Sequence, residues 1–248
     1  MTRVDDGYIG NRTVKTSPPG FFHRAMNSAL KALGLKKKTK PAPDWRSRDY
    51  FLAGLRRDIR GIPDERCFVL QNVVRGLKHV PGDVAECGLR FGKSTAFMLA
   101  ADETKRTYCL FDSFAGLSEP TPQDALASTG KAYWTQSDLS VPEDLVRSNL
   151  AGFDQELLIF KGWIPDRFPE VADRRFALLH VDVDLYKPTL DALEFFWPRL
   201  APGGMVVCDD YGSRKCPGAK RALDEFFADR DGRLMELPTY QALVVKPG

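Results

Sequence analysis

The chain is poor in the residues that most often build metal and redox centres. Its 248 residues include three histidines and five cysteines. The cysteines (67, 87, 109, 208 and 216) form no CxxC pair and show no zinc-ligand spacing, which excludes a structural zinc fold and a dithiol redox centre. Cys87, Cys109 and Cys208 fall inside predicted strands, where a thiol serves as a small buried side chain. That usage suits a reducing cytoplasm. No apolar run approaches the length of a transmembrane helix. The first twenty residues are polar and lack the apolar centre of a secretory signal. Positive charge is also scarce outside the N-terminus. The net charge is +3, yet residues 1–40 hold nine Lys/Arg against two Asp/Glu, a balance of +7 that leaves −4 for the rest. A mildly acidic domain with a basic arm does not match a nucleic-acid reader, whose basic residues line the folded surface. No nucleic-acid partner is expected.

In the arm, Phe21, Phe22, Ala25, Met26, Ala29, Leu30 and Leu33 recur at helical spacing and end in Gly34 and Lys36-Lys37-Lys38. The pattern predicts a basic amphipathic helix. Packing on its own domain or on a second subunit is the favoured reading; contact of residues 21–38 with an anionic membrane surface is the alternative. Pro41-Ala42-Pro43 reads as a linker, so 41–248 is expected to be the folded domain.

Helical patterns follow at 45–59 and 64–78, then strands and helices alternate. Strands are predicted at 83–87, 107–111, 157–160, 176–181 and 204–208, with helices near 93–103, after Pro142, at 188–197 and at 217–229. A last strand pair, 234–238 and 241–246, is close enough to form a hairpin. Such alternation predicts an α/β fold: a mostly parallel seven-stranded sheet with helices on both faces and an antiparallel C-terminal hairpin. A long segment, 115–140, interrupts the series.

Two acidic clusters close apolar strands: Asp182-Val183-Asp184 after Phe176–Val181, and Asp209-Asp210-Tyr211 after Gly204–Cys208. Strand alternation predicts that Asp182 and Asp184 point the same way and Val183 the other. Four carboxylates at one sheet edge repel one another without a cation, and Mg²⁺ prefers oxygen ligands. Asp182, Asp209 and Asp210 are expected to hold the ion, with Asp184 as general base; the roles of Asp182 and Asp184 are exchangeable at this stage. Capping of the following loop is the bland alternative for either pair. His180 reads as a satisfied core histidine. Tyr186 and Tyr211 are candidates for lining an acceptor site, with packing as the equal alternative.

The first strand runs through Glu86 into a turn with Gly88 and Gly92, where the backbone can approach a ligand closely. The spacing is neither GxGxxG nor the P-loop. An acid at Glu86 repels phosphate and suits a cationic amine or sulfonium, or else it pairs with Arg90. The second strand ends in Asp112, where an acid commonly accepts from ribose hydroxyls; a cap in a turn is the alternative. Together these features favour a nucleoside ligand without an essential polyphosphate, which S-adenosylmethionine satisfies.

Val80–Gly88, Phe111–Leu117, Lys161–Asp166, Leu179–Tyr186, Pro202-Gly203-Gly204 and Asp209–Tyr211 resemble the motifs of the macrocin O-methyltransferase family. The resemblance runs from about Arg66 to the C-terminus. It implies a Rossmann-like class I S-adenosylmethionine-dependent methyltransferase fold, a Mg²⁺-dependent reaction and a homo-oligomer. By position, Glu86, Gly88 and Gly92 would form the pocket for the methionine end, with Ser94 in contact. Asp112 would bind the ribose, with Ser113 and Phe114 beside it, and Gly162 and Trp163 would flank the adenine. Trp163 reads equally well as a core aromatic. The implied acceptor is a hydroxyl of a sugar or glycosylated small molecule. A non-catalytic or membrane-associated binding protein on the same fold, and a catechol-type or hydroxylase-like enzyme, are the alternatives.

Overall fold

Seven strands form one sheet. They are β1 (Asp83–Cys87), β2 (Tyr108–Asp112), β3 (Leu157–Lys161), β4 (Phe176–Val181), β5 (Leu200–Cys208), β6 (Arg233–Glu236) and β7 (Ala242–Val245). The computed structural model describes residues 44–248; the expected arm helix and its membrane contact lie outside the described residues. Spatial order is β3-β2-β1-β4-β5-β7-β6. The first five strands are parallel, and β7 pairs antiparallel with both β5 and β6. This is the α/β arrangement expected from the alternation.

Two elements differ from expectation by more than about two residues. β5 begins at Leu200 rather than 204, because Gly203 and Gly204 keep pairing with the backbone of Lys246. The helix expected over 45–59 is shorter, α1 (Asp49–Leu55), preceded by a 3-10 turn at Asp44–Ser47.

Strand alternation sorts the core onto two faces. Val84, Tyr108, Leu110, Leu178 and Val207 pack with α2 (Asp64–Gly76), α3 (Lys93–Ala101) and α4 (Glu143–Asn149). Ala85, Cys87, Cys109, Phe111, Val181, Val206 and Cys208 face α5 (Tyr186–Phe196) and α6 (Pro217–Phe227). Both faces are covered, so the central strands are buried and mostly apolar, with Glu86 and His180 the polar side chains inside them. Free cysteines at 87, 109 and 208 are buried within them.

Register decides which polar residues meet. Glu86 lies opposite His180, and His180 opposite Val207. Glu86 shares the α2–α3 face with Val84, as His180 does with Leu178. Asp209 follows Val207 by two positions and returns to that face. Three polar side chains from three strands are thus aligned by pleat and register alone.

Strand order reverses between β1 and β4, which places the ligand crevice beyond their carboxyl ends. The turn after β1 and the acids after β4 are in direct backbone contact there. Gly88 has φ +88°, and a Cβ at that position would overlap the carbonyl oxygen of Asp182. Gly88→Ala is therefore expected to cost about 2 kcal/mol or more of stability, read as a lower urea midpoint, since backbone strain and steric overlap combine.

Candidate active site

The turn after β1 is held from both sides. Asp112, at the end of β2, accepts from the backbone N–H groups of Leu89 at 2.7 Å and Arg90 at 3.0 Å through Oδ2, and from Phe114 N–H at 2.7 Å through Oδ1. A carboxylate offers about four lone-pair sites, so one remains for a ligand hydroxyl. Asp112 is thus a clamp on the glycine turn as well as the acid expected to meet a ribose. Ser113 Oγ donates to Gly116 O and accepts from Ala115 N–H, and Phe114 has φ +55°, so both shape the turn after Asp112. Gly92 has φ +78° and starts α3. Gly162 N–H donates to Asp112 O at 3.0 Å. Trp163 beside it is 39 % exposed, which removes the core-aromatic reading and leaves a ring open to a ligand.

Glu86 and Ser94 differ from expectation. Glu86 is fully buried and accepts from the hydroxyls of Ser94 and Thr95 (Thr95 at 2.5 Å), while His180 Nδ1 lies 3.0 Å from it. Its carboxylate faces inward to the first turn of α3, where both oxygens accept hydrogen bonds. Ser94 donates its hydroxyl to Glu86. Both residues hold the turn in place from beneath.

His180 is more than a core histidine. It is fully buried between Glu86 and Asp209, with Nε2 3.6 Å from Asp209 Oδ1 and no hydrogen-bond partner within reach. Burial pushes the imidazole down, but the flanking carboxylates of Asp209 and Glu86 overcome it and raise it to about 10. Asp209, also fully buried, accepts from the Arg66 guanidinium and from Gln241 Nε2 at 2.7 Å. Burial opposes its ionisation, yet His180 and Arg66 hold it below the usual carboxylate range. The result is a continuous chain, Glu86–His180–Asp209–Arg66, of alternating sign. Sequence reading missed Arg66 and Gln241. A signal for Arg66 existed: it lies on the stripe of α2 that buries Leu70, Val73 and Val74, where a charge needs a partner.

The remaining acids stay unneutralised. Burial and the charges of Asp209 and Asp184 push Asp182 well above its ordinary range. Burial and the charges of Asp184 and Asp182 do the same to Asp210. Asp184 is raised to about 6, chiefly by burial, with the Cys216 hydrogen bond and Arg90 opposing. Mutual repulsion among buried carboxylates, with an all-oxygen donor set, fits a hard divalent cation.

The expected geometry of these acids needs two corrections. Strand alternation does not extend to Asp184: β4 ends at Val181, and Asp184 has φ +62°, a left-handed turn that Asp tolerates. Its N–H donates to Asp210 Oδ2 at 3.0 Å, and its Oδ1 accepts from Cys216 Sγ at 3.3 Å. Among the described residues, the one group of three potential ligands whose atoms all lie within 4.8 Å of one another is Asp184, Asp210 and Cys216. Asp182, Asp209 and Asp210 do not form so tight a set, because Asp209 is drawn towards Arg66 and Gln241. Burial pushes the Cys216 thiol up, and a neutral sulfur is a poor ligand for a hard ion. Tyr186 and Tyr211 turn to α6, where their hydroxyls meet Glu225 at 2.6 Å and Asp224 at 2.8 Å. These contacts brace that helix.

A glycine turn clamped by an acid, an open tryptophan and an acid cluster all follow the carboxyl ends of parallel strands of one sheet, and the comparisons agree with what that constellation suggests. The family model for macrocin-O-methyltransferase (TylF) matches residues 8–235. The chain belongs to the macrocin O-methyltransferase family. It is an S-adenosylmethionine-dependent O-methyltransferase. The chain is 33 % identical over 184 residues to a tetracenomycin-C rhamnosyl 4'-O-methyltransferase of Streptomyces olivaceus, covering 71 % of this chain and 68 % of that protein. It is 32 % identical over 199 residues to demethyldecarbamoylnovobiocin O-methyltransferase of Streptomyces niveus, covering 76 % and 71 %. Among solved structures, the O-methyltransferase NovP is similar at a TM-score of 0.63 and 28 % identity, over 75 % of this chain and 81 % of that one. The calicheamicin methyltransferase CalS11, at 0.63 and 22 %, shares the class I methyltransferase fold. No described helix is long and apolar enough to cross a membrane.

The buried chain gives a direct test. Arg66→Met leaves Asp209 without its main cation in a site closed to water, and is expected to cost about 3–5 kcal/mol in urea unfolding. A loss below about 1 kcal/mol would show that the ion pair does not organise the fold.

Proposed function

We propose that this methyltransferase transfers a methyl group to a hydroxyl of a sugar within a glycosylated small molecule, and that the reaction depends on Mg²⁺. One observation carries the reading: the glycine turn and the acid cluster share a backbone contact at Gly88 and Asp182, so a bound methyl donor and the carboxylates face one crevice. Relatives named for methylating rhamnosyl and novobiocin-type substrates support the sugar acceptor.

Asp112 keeps one lone pair for a ribose hydroxyl, Gly88 and Gly92 admit the methionine end, and Trp163 offers a face to the adenine. Asp182, Asp209 and Asp210 would hold Mg²⁺; Asp209 retains lone pairs beyond those used by Arg66 and Gln241. When bound, the ion lowers the pKa of an acceptor hydroxyl and orients it. Asp184 takes the hydroxyl proton as the oxygen attacks the methyl carbon opposite sulfur. The C–S bond breaks as the O–CH₃ bond forms, and S-adenosylhomocysteine leaves with the electron pair. Alignment of the two reactants supplies much of the rate.

EDTA is expected to abolish methyl transfer, with Mg²⁺ restoring it; undiminished turnover in EDTA overturns the metal dependence. Asp184→Asn is expected to lower kcat by roughly 10²–10⁴-fold while S-adenosylmethionine affinity, measured by calorimetry, stays within a factor of about two. Asp182→Asn and Asp210→Asn should instead raise the Mg²⁺ concentration at half-activity by about 10–100-fold. If Asp184→Asn shifts the Mg²⁺ requirement and Asp182→Asn does not, the two residues exchange roles.

A further inference from the structure

The last hairpin meets the acid cluster through one side chain. β5 and β7 pair antiparallel with Cys208 opposite Ala242. One step further along that register puts Gln241 opposite Asp209, the acid that follows β5. Gln241 is fully buried, and its Nε2 donates to Asp209 Oδ1 at 2.7 Å. An ionised carboxylate only accepts, so the amide must present its nitrogen there and its Oε1 on the other side. Thr239 Oγ1 lies 2.8 Å from that Oε1, and because Oε1 also only accepts, the hydroxyl donates. The amide is thereby held in one of its two orientations.

The turn that carries Thr239 is itself anchored. Arg66 Nε donates to Thr239 O at 3.0 Å, and the same guanidinium donates to Asp209 Oδ2. Gly212 N–H donates to Tyr240 O at 2.7 Å. A Cβ on Gly212 would lie 3.0 Å from Tyr240 Cα, so the turn packs closely on the loop after Asp209. Arg66, Thr239, Gln241 and Asp209 thus close a ring of hydrogen bonds. Within it Asp209 has a donor on each oxygen, which fixes the rotation of its carboxylate and the direction of the lone pairs that remain. A side chain kept only to fill this space could be a leucine, with no buried amide to satisfy.

Resting on the Mg²⁺ reading above, we propose that Gln241, oriented by Thr239, is a positioning residue for the metal site. It turns Asp209 so that the remaining lone pairs of the carboxylate are aimed before the ion arrives. The turn between β6 and β7 then sets the affinity for the ion without supplying a ligand of its own. Partners that orient a ligand in this way are worth about 10–100-fold in metal affinity. Loss of the amide leaves Asp209 tied to Arg66 through one oxygen and able to rotate about that bond. Loss of the Thr239 hydroxyl is a smaller defect: the amide keeps its bond to Asp209, and only its Oε1 is left without a donor.

The test is Mn²⁺ binding to the full chain saturated with S-adenosylhomocysteine, read by loss of the free-ion EPR signal. Mn²⁺ stands in for Mg²⁺ because it takes the same oxygen ligands. Gln241→Leu is expected to raise the Mn²⁺ dissociation constant by about 10–100-fold. Thr239→Val is expected to raise it by about five-fold, the worth of one neutral hydrogen bond, and Thr239→Ser to keep the wild-type value. Affinity for S-adenosylhomocysteine should be unchanged in all three. Methyl transfer by Gln241→Leu should recover as Mg²⁺ is raised, so that the half-saturating concentration moves and kcat does not. Unchanged Mn²⁺ affinity in Gln241→Leu overturns the inference alone, and so does a loss of S-adenosylhomocysteine affinity that matches the loss for Mn²⁺. If Gln241→Leu does not fold, Thr239→Val decides, and unchanged Mn²⁺ affinity there overturns the inference. Wild-type protein that binds no Mn²⁺, or whose Mn²⁺ affinity is the same after Asp210→Asn, overturns the metal reading, and this inference with it.

Discussion

The site depends on a row of charges that water never reaches. Glu86, His180, Asp209 and Arg66 alternate in sign, and all four are buried. Any one of them alone in the interior would be costly, because an ion removed from water needs compensation nearby. Together they compensate one another, and Ser94, Thr95 and Gln241 take up remaining bonds. The row runs from the first turn of α3 through β1, β4 and β5 to α2. It therefore ties the donor-binding turn to the acid cluster by a path of side chains whose positions are mutually determined.

That row divides the acids by role. Glu86 and Asp209 face inward and are paired, so they set geometry, and Asp209 keeps lone pairs for the proposed ion. Asp182, Asp184 and Asp210 have no comparable cation, and burial with mutual repulsion raises their pKa. Asp112 stands between the two roles: three of its contacts are structural, and one lone-pair site is left over. Cys216 connects the acid cluster to Trp134. A thiol that cannot readily ionise makes a neutral link there without adding charge to an already crowded site.

Much of this was legible in the chain. Strand ends, the Gly88–Gly92 turn, Asp112 and the two acidic clusters could be placed because each is a local pattern, and Trp163 could be flagged. The readings that changed all concerned what a side chain touches. Glu86 and Ser94 looked like ligand contacts from their place at the turn, yet they bond to each other. Asp184 looked like the next tooth of a strand, yet a left-handed dihedral ends the alternation before it. His180 read as an inert core residue, because nothing local to it reveals a carboxylate on either side.

Period and punctuation in the sequence were enough to determine the α/β alternation and the strand ends that carry Glu86, Asp112 and the two acidic clusters. Only the tertiary structure decided their neighbours. Glu86 and His180 are 94 residues apart, and Arg66 and Asp209 are 143 apart. Pleating assigns a side chain to a face, which is a property of one strand. Pairing across strands depends on register and strand order, and those are settled by how the whole apolar surface packs.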